Sequence, residues 1–272
     1  GRIMGNIALQ YFLRLFPKLA GMTGTAVQSR EEFDTIYGLP TEVIPTRLPC
    51  RRTDHPMELY YDQDEKRRAV IYAITQAHEI NRPVLVGTAS IEESERLSAE
   101  LEAAGIPCAV LNAKNDEAEA DIISRAGEPG AVTISTNMAG RGVDIKLGGA
   151  DCRAKSEVEE AGGLLVLAAA MRDSSRMTQQ LRGRAGRQGD VGESRFFAAL
   201  DDEIMTRNNL RSLVSGRHYP AEKVSGAIED KSLLKEAERV QRIAEGAAFD
   251  ERVNLMKYTM IGEKHRSMTF EK

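Results

Sequence analysis

From residue 82 onward, short β-rich runs alternate with segments of helical pattern, and that alternation restricts the fold more than any other feature of the sequence. The runs are VLVGT (84–88), AVLNA (109–113), VTIS (132–135), LLVLA (164–168) and SRFFAAL (194–200). Strands separated by helices return to the same end of a sheet and pair in parallel, so the expected class is α/β with a parallel sheet. The clearest intervening helix is IEESERLSAELEAAG (91–105), which sets Ile91, Leu97 and Leu101 on one side and meets a stop at Gly105. One face of it is expected to pack on the sheet.

Helical pattern also flanks the sheet region. Ile7, Leu9, Phe12, Leu13, Phe16 and Leu19 recur at helical spacing, punctuated by Pro17 and Gly21, which predicts a helix over about 5–18. Strand signals stop near 205, and 220–260 is rich in Glu, Lys, Arg, Ala and Leu with no proline after Pro220, the pattern of an extended helix. A charged helix with few apolar anchors is marginal by itself, so this one is expected to belong to a larger helical scaffold. The sequence opens at Gly1 without an initiator methionine and runs straight into an amphipathic pattern, as an excerpt of a longer protein would.

Composition excludes several classes. With 42% hydrophobic and 29% charged residues the chain is expected to pack in water rather than stay disordered. Its 37 basic against 41 acidic side chains leave a formal charge of −4, so no specific nucleic-acid partner is expected. The most apolar stretch, LLVLAAAM (164–171), is far shorter than the roughly 20 residues that cross a bilayer, and any membrane contact is expected to be peripheral. Cys50, Cys108 and Cys152 are isolated and odd in number, which fits a reducing cytosol and neither a disulfide framework nor a zinc site. His55, His78, His218 and His265 lack ligand spacing, so no metal site is expected in this chain.

Two segments carry chemistry. In QLRGRAGRQGD (180–190) Gln180, Arg184 and Arg187 fall at i, i+4 and i+7, one face if the segment is helical. Gly183 and Gly186 would then lie inside the helix at about 1 kcal/mol each relative to alanine, a cost that points to close backbone approach. A permanently charged planar guanidinium binds phosphate oxygens in pairs and stabilises charge that develops in phosphoryl transfer. In STNMAGRGVDI (135–145), Gly140 and Gly142 allow a tight loop that aims Arg141 across a cleft, while Asp144 is placed to accept from a ribose or to pair with an arginine. The segment follows VTIS, and ligand crevices of open α/β sheets lie beyond the carboxyl ends of strands. No G-x-x-x-x-G-K-[ST] loop or DEAD-like carboxylate pair occurs, so the chain by itself lacks the usual means of holding Mg-ATP.

The two arginine segments resemble motifs V and VI of superfamily-two helicase-like ATPases, in which a second RecA-like domain reaches arginines toward nucleotide held by the first. Taken with AGMTGTA (20–26), PVLVGTASIEESE (83–95), VLNAKN (110–115) and AGEPGAVTISTNMAGRGVDI (126–145), the sequence resembles the SecA family of preprotein translocase ATPases, in matching order and over most of its length. QRIAEGAAFDERVNLMKY (241–258) is similar to the opening of that family's long scaffold helix. The resemblance implies a RecA-like fold of the P-loop NTPase type with an appended helical segment. It implies the tail of a first nucleotide-binding motor domain at 1–40, a second RecA-like domain at 41–208 and the start of the scaffold at 209–272.

Carried over residue by residue, Arg184 and Arg187 match finger-type catalytic arginines, and Arg141 and Asp144 match nucleotide-contacting groups, with Gly140 in the same loop and Gln188 beside the finger. The cofactor implied is ATP with Mg²⁺, the metal being held by the other half. The implied partners are the first nucleotide-binding domain of the same protein, a preprotein, a membrane translocation channel and a second copy of the motor, on the cytoplasmic side of a membrane. The sequence departs from the family where Val143 replaces the usual threonine. It departs further where the family stretch GTERHESRRID reads AAAMRDSSRMT (168–178), which puts coupling between nucleotide state and domain motion in question. The short insert between LGG (147–149) and GGL (162–164) resembles accessory members of the family. Two rival readings are half of an RNA helicase-like ATPase and a non-catalytic scaffold or regulatory fragment.

Overall fold

The computed structural model describes residues 7–111, 119–136, 143–214, 219–220 and 222–270. In chain order α1 (Leu9–Arg14) and α2 (Arg30–Tyr37) come first, followed by β1 (Arg51–Tyr60), α3 (Gln63–Glu79), β2 (Val84–Thr88) and α4 (Ile91–Ala103). Next are β3 (Ala109–Leu111), α5 (Glu119–Arg125), β4 (Val132–Thr136), α6 (Lys155–Glu160), β5 (Leu164–Ala168) and α7 (Ser175–Arg182). The order closes with β6 (Val191–Ala199), α8 (Glu203–Arg207), α9 (Leu210–Leu213) and α10 (Lys231–Phe270).

The six strands form one sheet in the order β1-β6-β5-β2-β4-β3, and every pairing is parallel. VLVGT and LLVLA read as unbroken apolar runs because their strands are central and covered on both faces, and every residue of β2 and β5 is buried. The period of two then divides them. Val84, Val86, Leu165 and Leu167 pack with Val70 and Ile74 of α3 and Leu97 and Leu101 of α4. Leu85, Leu164 and Val166 pack on the other face with Ile123 of α5, Val158 of α6, and Ile145 and Leu147. Full burial of each such side chain stabilises the fold by about 1.5–3 kcal/mol. The helices on the first face are started by side-chain caps: Asp62 accepts from the Glu65 amide at 2.8 Å, and Ser90 accepts from the Glu93 amide at 3.1 Å. Glu93 reaches back to the Ala89 amide at 2.6 Å, closing the same turn from the other side.

The sequence gives no sign of β1, which reads RRTDHPMELY. It is an edge strand, where charge and proline are tolerated, and Pro56 falls at the break in register between Asp54 and Met57. β6 begins at Val191, ahead of the expected 194, and β3 spans Ala109–Leu111, the rest of AVLNA lying outside the described residues. The first helix covers Leu9–Arg14, within the expected 5–18. The long helix starts at Lys231, not 220, because Asp230 accepts from the amides of Ser232 and Leu233 at 2.8 and 3.1 Å and so sets its first turn.

The chain divides into two compact units, Gly1–Pro45 with Arg242–Lys272, and Thr46–Gln241. In the first, Arg252 forks onto Glu32 at 2.7 and 2.8 Å, and burial raises the Tyr37 phenol above its usual range. The second holds the whole sheet. Leu233, Ala237 and Val240 of α10 are buried, and Gln241 donates to the Arg172 carbonyl at 2.7 Å.

Candidate functional site

The segment 180–190 is not one helix, and the single face of Gln180, Arg184 and Arg187 expected from the spacing does not form. α7 ends at Arg182 with Gly183 as its cap, leaving Gln180 on the helix and both arginines beyond it. Gly186 (φ 69°), Gln188 (φ 53°) and Gly189 (φ 84°) are left-handed, and the chain turns sharply into β6. The glycines terminate the helix rather than thin it. A Cβ on Gly186 would stand 2.6 Å from the Arg52 Cβ, so this position needs both the conformation and the missing side chain. At Gly87 of β2 a Cβ would stand 2.3 Å from Leu181, and that glycine lets α7 sit close on the sheet.

Both loop arginines meet the other motif. Nη1 of Arg187 donates to Asp144 Oδ1 at 2.7 Å, while its Nε donates to the Gly183 carbonyl at 2.8 Å. Nη1 of Arg184 donates to the Val143 carbonyl at 3.0 Å. Residues 43 apart in sequence are therefore side by side. The Arg187–Asp144 pair is about a third and a half exposed, and such a pair contributes at most about 1 kcal/mol. It is weak enough to exchange partners. Gly140 and Arg141 lie outside the described residues.

The cluster sits at the amino edge of the sheet, opposite to where the crevice rule puts a ligand. The chain leaves β4 at Thr136 but by residue 146 is back at the start of that strand. The Gly148 amide donates to the Gly127 carbonyl at 2.7 Å, and a Cβ on Gly127 would strike the Lys146 carbonyl at 2.0 Å. Lys155 of α6 pairs with Asp190 at 2.6 Å and ties down the end of the arginine loop.

Sequence reasoning missed a second layer beneath this loop. Arg52 forks onto Asp54 with Nε and Nη2 at 2.7 and 2.8 Å, and its Nη1 donates to the Ala185 carbonyl at 3.3 Å. Ser194 of β6 donates to Asp54 at 2.5 Å. The Arg52 hydrogen bond holds the Asp54 carboxyl below the usual carboxylate range, and Asp54 in turn raises the guanidinium. The signal available was R-x-D, two residues on one face of a strand, and it needed β1 to be recognised as a strand.

The carboxyl edge carries a cavity of about 580 Å³, lined among others by Lys66, Glu93, Arg172, Met171, Met177 and Asp202. The stretch 168–178 contributes Ala169 to Asp173 and Met177 to its wall. Buried at the next turns of α7, Thr178 Oγ1 and Arg182 Nε have no hydrogen-bond partner among the described residues. Among the described residues no group of three His, Cys, Asp or Glu could hold a metal ion.

A parallel sheet covered on both faces, with a glycine-broken arginine loop leading into its last strand, makes this an α/β domain of the open parallel-sheet class. The family model for the SecA P-loop domain matches residues 49–156 and 150–215, and that for the SecA DEAD-like domain matches 1–34. The chain belongs to the SecA family. It is 42% identical to a protein translocase subunit SecA of Neorickettsia sennetsu, over 98% of this chain and 35% of that protein. It is 43% identical to the SecA 2 subunit of Clostridioides difficile, over 94% of this chain and 33% of that protein. The chain thus spans about a third of the length of these relatives. Among solved structures the yeast DEAD-box splicing factor Prp28 superposes with a TM-score of 0.47 at 15% identity, over 80% of this chain and 43% of that one.

Proposed function

We propose that this chain supplies the second, nucleotide-sensing half of an ATP-driven preprotein translocase motor. One observation carries the reading: Arg184 and Arg187 both reach the 143–144 segment, so two motifs with arginine and aspartate chemistry form a single face. Family membership favours preprotein movement over RNA unwinding. In this reading 1–40 is the tail of the first nucleotide-binding domain, 41–208 the second RecA-like domain and 209–272 the start of the scaffold. The partners are the first domain, a preprotein, a membrane channel and a second copy of the motor. The site of action is the cytoplasmic side of the membrane, with peripheral attachment. No helix among the described residues is long and apolar enough to cross a bilayer.

The residues present fit a nucleotide's phosphates, since two guanidinium groups stand together at a partly exposed edge, and the Nη1 of one of them is held by a half-exposed carboxylate. Arg184, Arg187 and Arg141 would face the phosphates, and Asp144, Gly140 and Gln188 would border the nucleotide. ATP with Mg²⁺, when bound, supplies the phosphoryl group to be transferred and the metal that neutralises part of its charge. In this reading the metal is held by the other half. Arg187 would exchange Asp144 for a phosphate oxygen, with the Gly183 carbonyl keeping its Nε oriented. Charge develops on the transferring group, so the arginines act on rate more than on ground-state affinity.

The test is ATP turnover in a full-length protein that joins this segment to a half bearing the phosphate loop. Arg187→Ala and Arg184→Ala are expected to lower turnover by about 10³-fold, with ADP affinity changed far less. Folded variants that turn over ATP like the wild type would refute the reading.

A further inference from the structure

We infer that Arg52 is a positioning residue that fixes where the loop arginines point, and that it acts through the Ala185 carbonyl rather than by touching nucleotide. This rests on the reading of Arg184 and Arg187 given above. The loop between α7 and β6 has three left-handed residues, Gly186, Gln188 and Gly189, and its own backbone bonds are short-range turns, such as the Asp190 amide to the Arg187 carbonyl at 2.8 Å, that do not tie it to the sheet. Its geometry therefore depends on what grips its backbone.

Arg52 grips it at the middle. Ala185 lies between the two arginines in sequence and is buried, at 2% exposure, with its methyl against Gly192 of β6. The Arg52 side chain is itself only 16% exposed. Its planar fork spends Nε and Nη2 on Asp54 and keeps Nη1 for the Ala185 carbonyl. A lysine has one charged nitrogen and no fixed fork, so it cannot reproduce that division of donors. Asp54 is locked by Ser194, and β1 pairs with β6 from Arg51↔Val191 through Asp54↔Ser194, so the strut stands on two paired strands. Gly186 completes the fit by leaving room for the Arg52 stem. Loss of the strut frees the loop while leaving both finger guanidinium groups in place chemically. Displacing a catalytic group by about 1 Å is enough to cost up to about 100-fold in rate.

Arg82 provides a control at the same sheet edge. It pairs with Glu193 at 2.7 Å and donates to the carbonyls of Gly162 and Gly163 at 2.9 and 3.0 Å, so it braces a loop that carries no arginine finger.

The experiment measures kcat, KM and ADP affinity in the full-length ATPase for Arg52→Ala, Arg52→Lys, Arg82→Ala, Arg187→Ala and the double variant Arg52→Ala/Arg187→Ala. Arg52→Ala is expected to lower kcat by about 10- to 100-fold with KM within about threefold, and Arg52→Lys is expected not to rescue it. Arg82→Ala should lose comparable thermal stability and keep its kcat. The double variant should be no slower than Arg187→Ala alone, because a strut for an absent finger has nothing to position. Additive losses, or equal kcat losses in Arg52→Ala and Arg82→Ala, would overturn the inference. If Arg187→Ala itself turns over ATP normally, the finger reading fails; if it is slow and Arg52→Ala is not, only the strut fails. Should Arg52→Ala not fold, Asp54→Asn keeps the side-chain volume, uncouples the fork and is judged by the same criteria.

Discussion

Lys66 of α3 and Asp202, just beyond β6, face each other at 2.6 Å with 5% and 8% of their side chains exposed. Unit charges at that separation attract by about 6 kcal/mol at an effective dielectric of about 20, but desolvation of both ions offsets most of this. Removing one partner is a different perturbation, because the charge left behind stays buried without compensation. That costs about 3–5 kcal/mol. Asp202 would keep one donor, the Ala199 amide at 2.9 Å, which puts Lys66→Met at the low end, near 3 kcal/mol. The double variant Lys66→Met/Asp202→Asn removes the stranded charge and lets the amide oxygen keep the Ala199 bond, so it should lose only about 1 kcal/mol. Urea unfolding followed by far-ultraviolet circular dichroism reads both, on the transition of the sheet-bearing unit. A loss under about 1 kcal/mol for Lys66→Met, or a double variant no more stable than the single, would refute the reasoning.

Two further outcomes are expected on stability. Thr178→Val replaces a buried hydroxyl that has no partner among the described residues with a methyl of the same shape, and should stabilise the sheet unit by about 1 kcal/mol in the same urea assay. The Asp54 carboxyl is held below its usual range by Arg52, so its contribution is present above the unfolded carboxylate value near pH 4 and is lost as pH falls through the lower folded value. Asp54→Asn should therefore remove part of the acid dependence of stability below about pH 4, read from thermal midpoints across a pH series.

The central strands were legible because burial on both faces forces a continuous apolar run, and β2 and β5 have no other way to be covered. β1 was not, because an edge strand needs few apolar side chains. Among its residues Met57, Leu59 and Tyr60 are buried, and RRTDHP reads as a loop until β6 is seen beside it. The arginines themselves stood out in sequence, but their arrangement did not. Spacing treated Gly186 as a gap in a helix, whereas it is a left-handed hinge whose reason is Arg52, a residue far earlier in the chain. No local pattern encodes a contact of that range. The edge of the sheet that carries the cluster was misplaced for a related reason. A motif that follows a strand is expected at that strand's carboxyl end, but 146–148 lies at its start, where the Gly148 amide meets the Gly127 carbonyl.

The position of α7 explains how the stretch 168–178 can differ without disturbing the arginine geometry directly. AAAMRDSSRMT lies at the carboxyl edge, where Met171 and Met177 wall the cavity, while Arg184 and Arg187 lie at the amino edge. What joins the two is one eight-residue helix, about 12 Å long at 1.5 Å per residue. It is pinned to the sheet where Leu181 meets Gly87. At its start the Arg172 carbonyl accepts from Gln241 of α10, and at its end Arg52 holds Ala185. A packed helix moves as a body, so a shift of its first turn reaches the loop as displacement, not as altered chemistry. Two buried polar atoms without partners among the described residues, on Thr178 and Arg182, lie along that helix. They weaken the hold of α7 between its two ends, so a displacement of the helix meets less resistance there than at either pinned end.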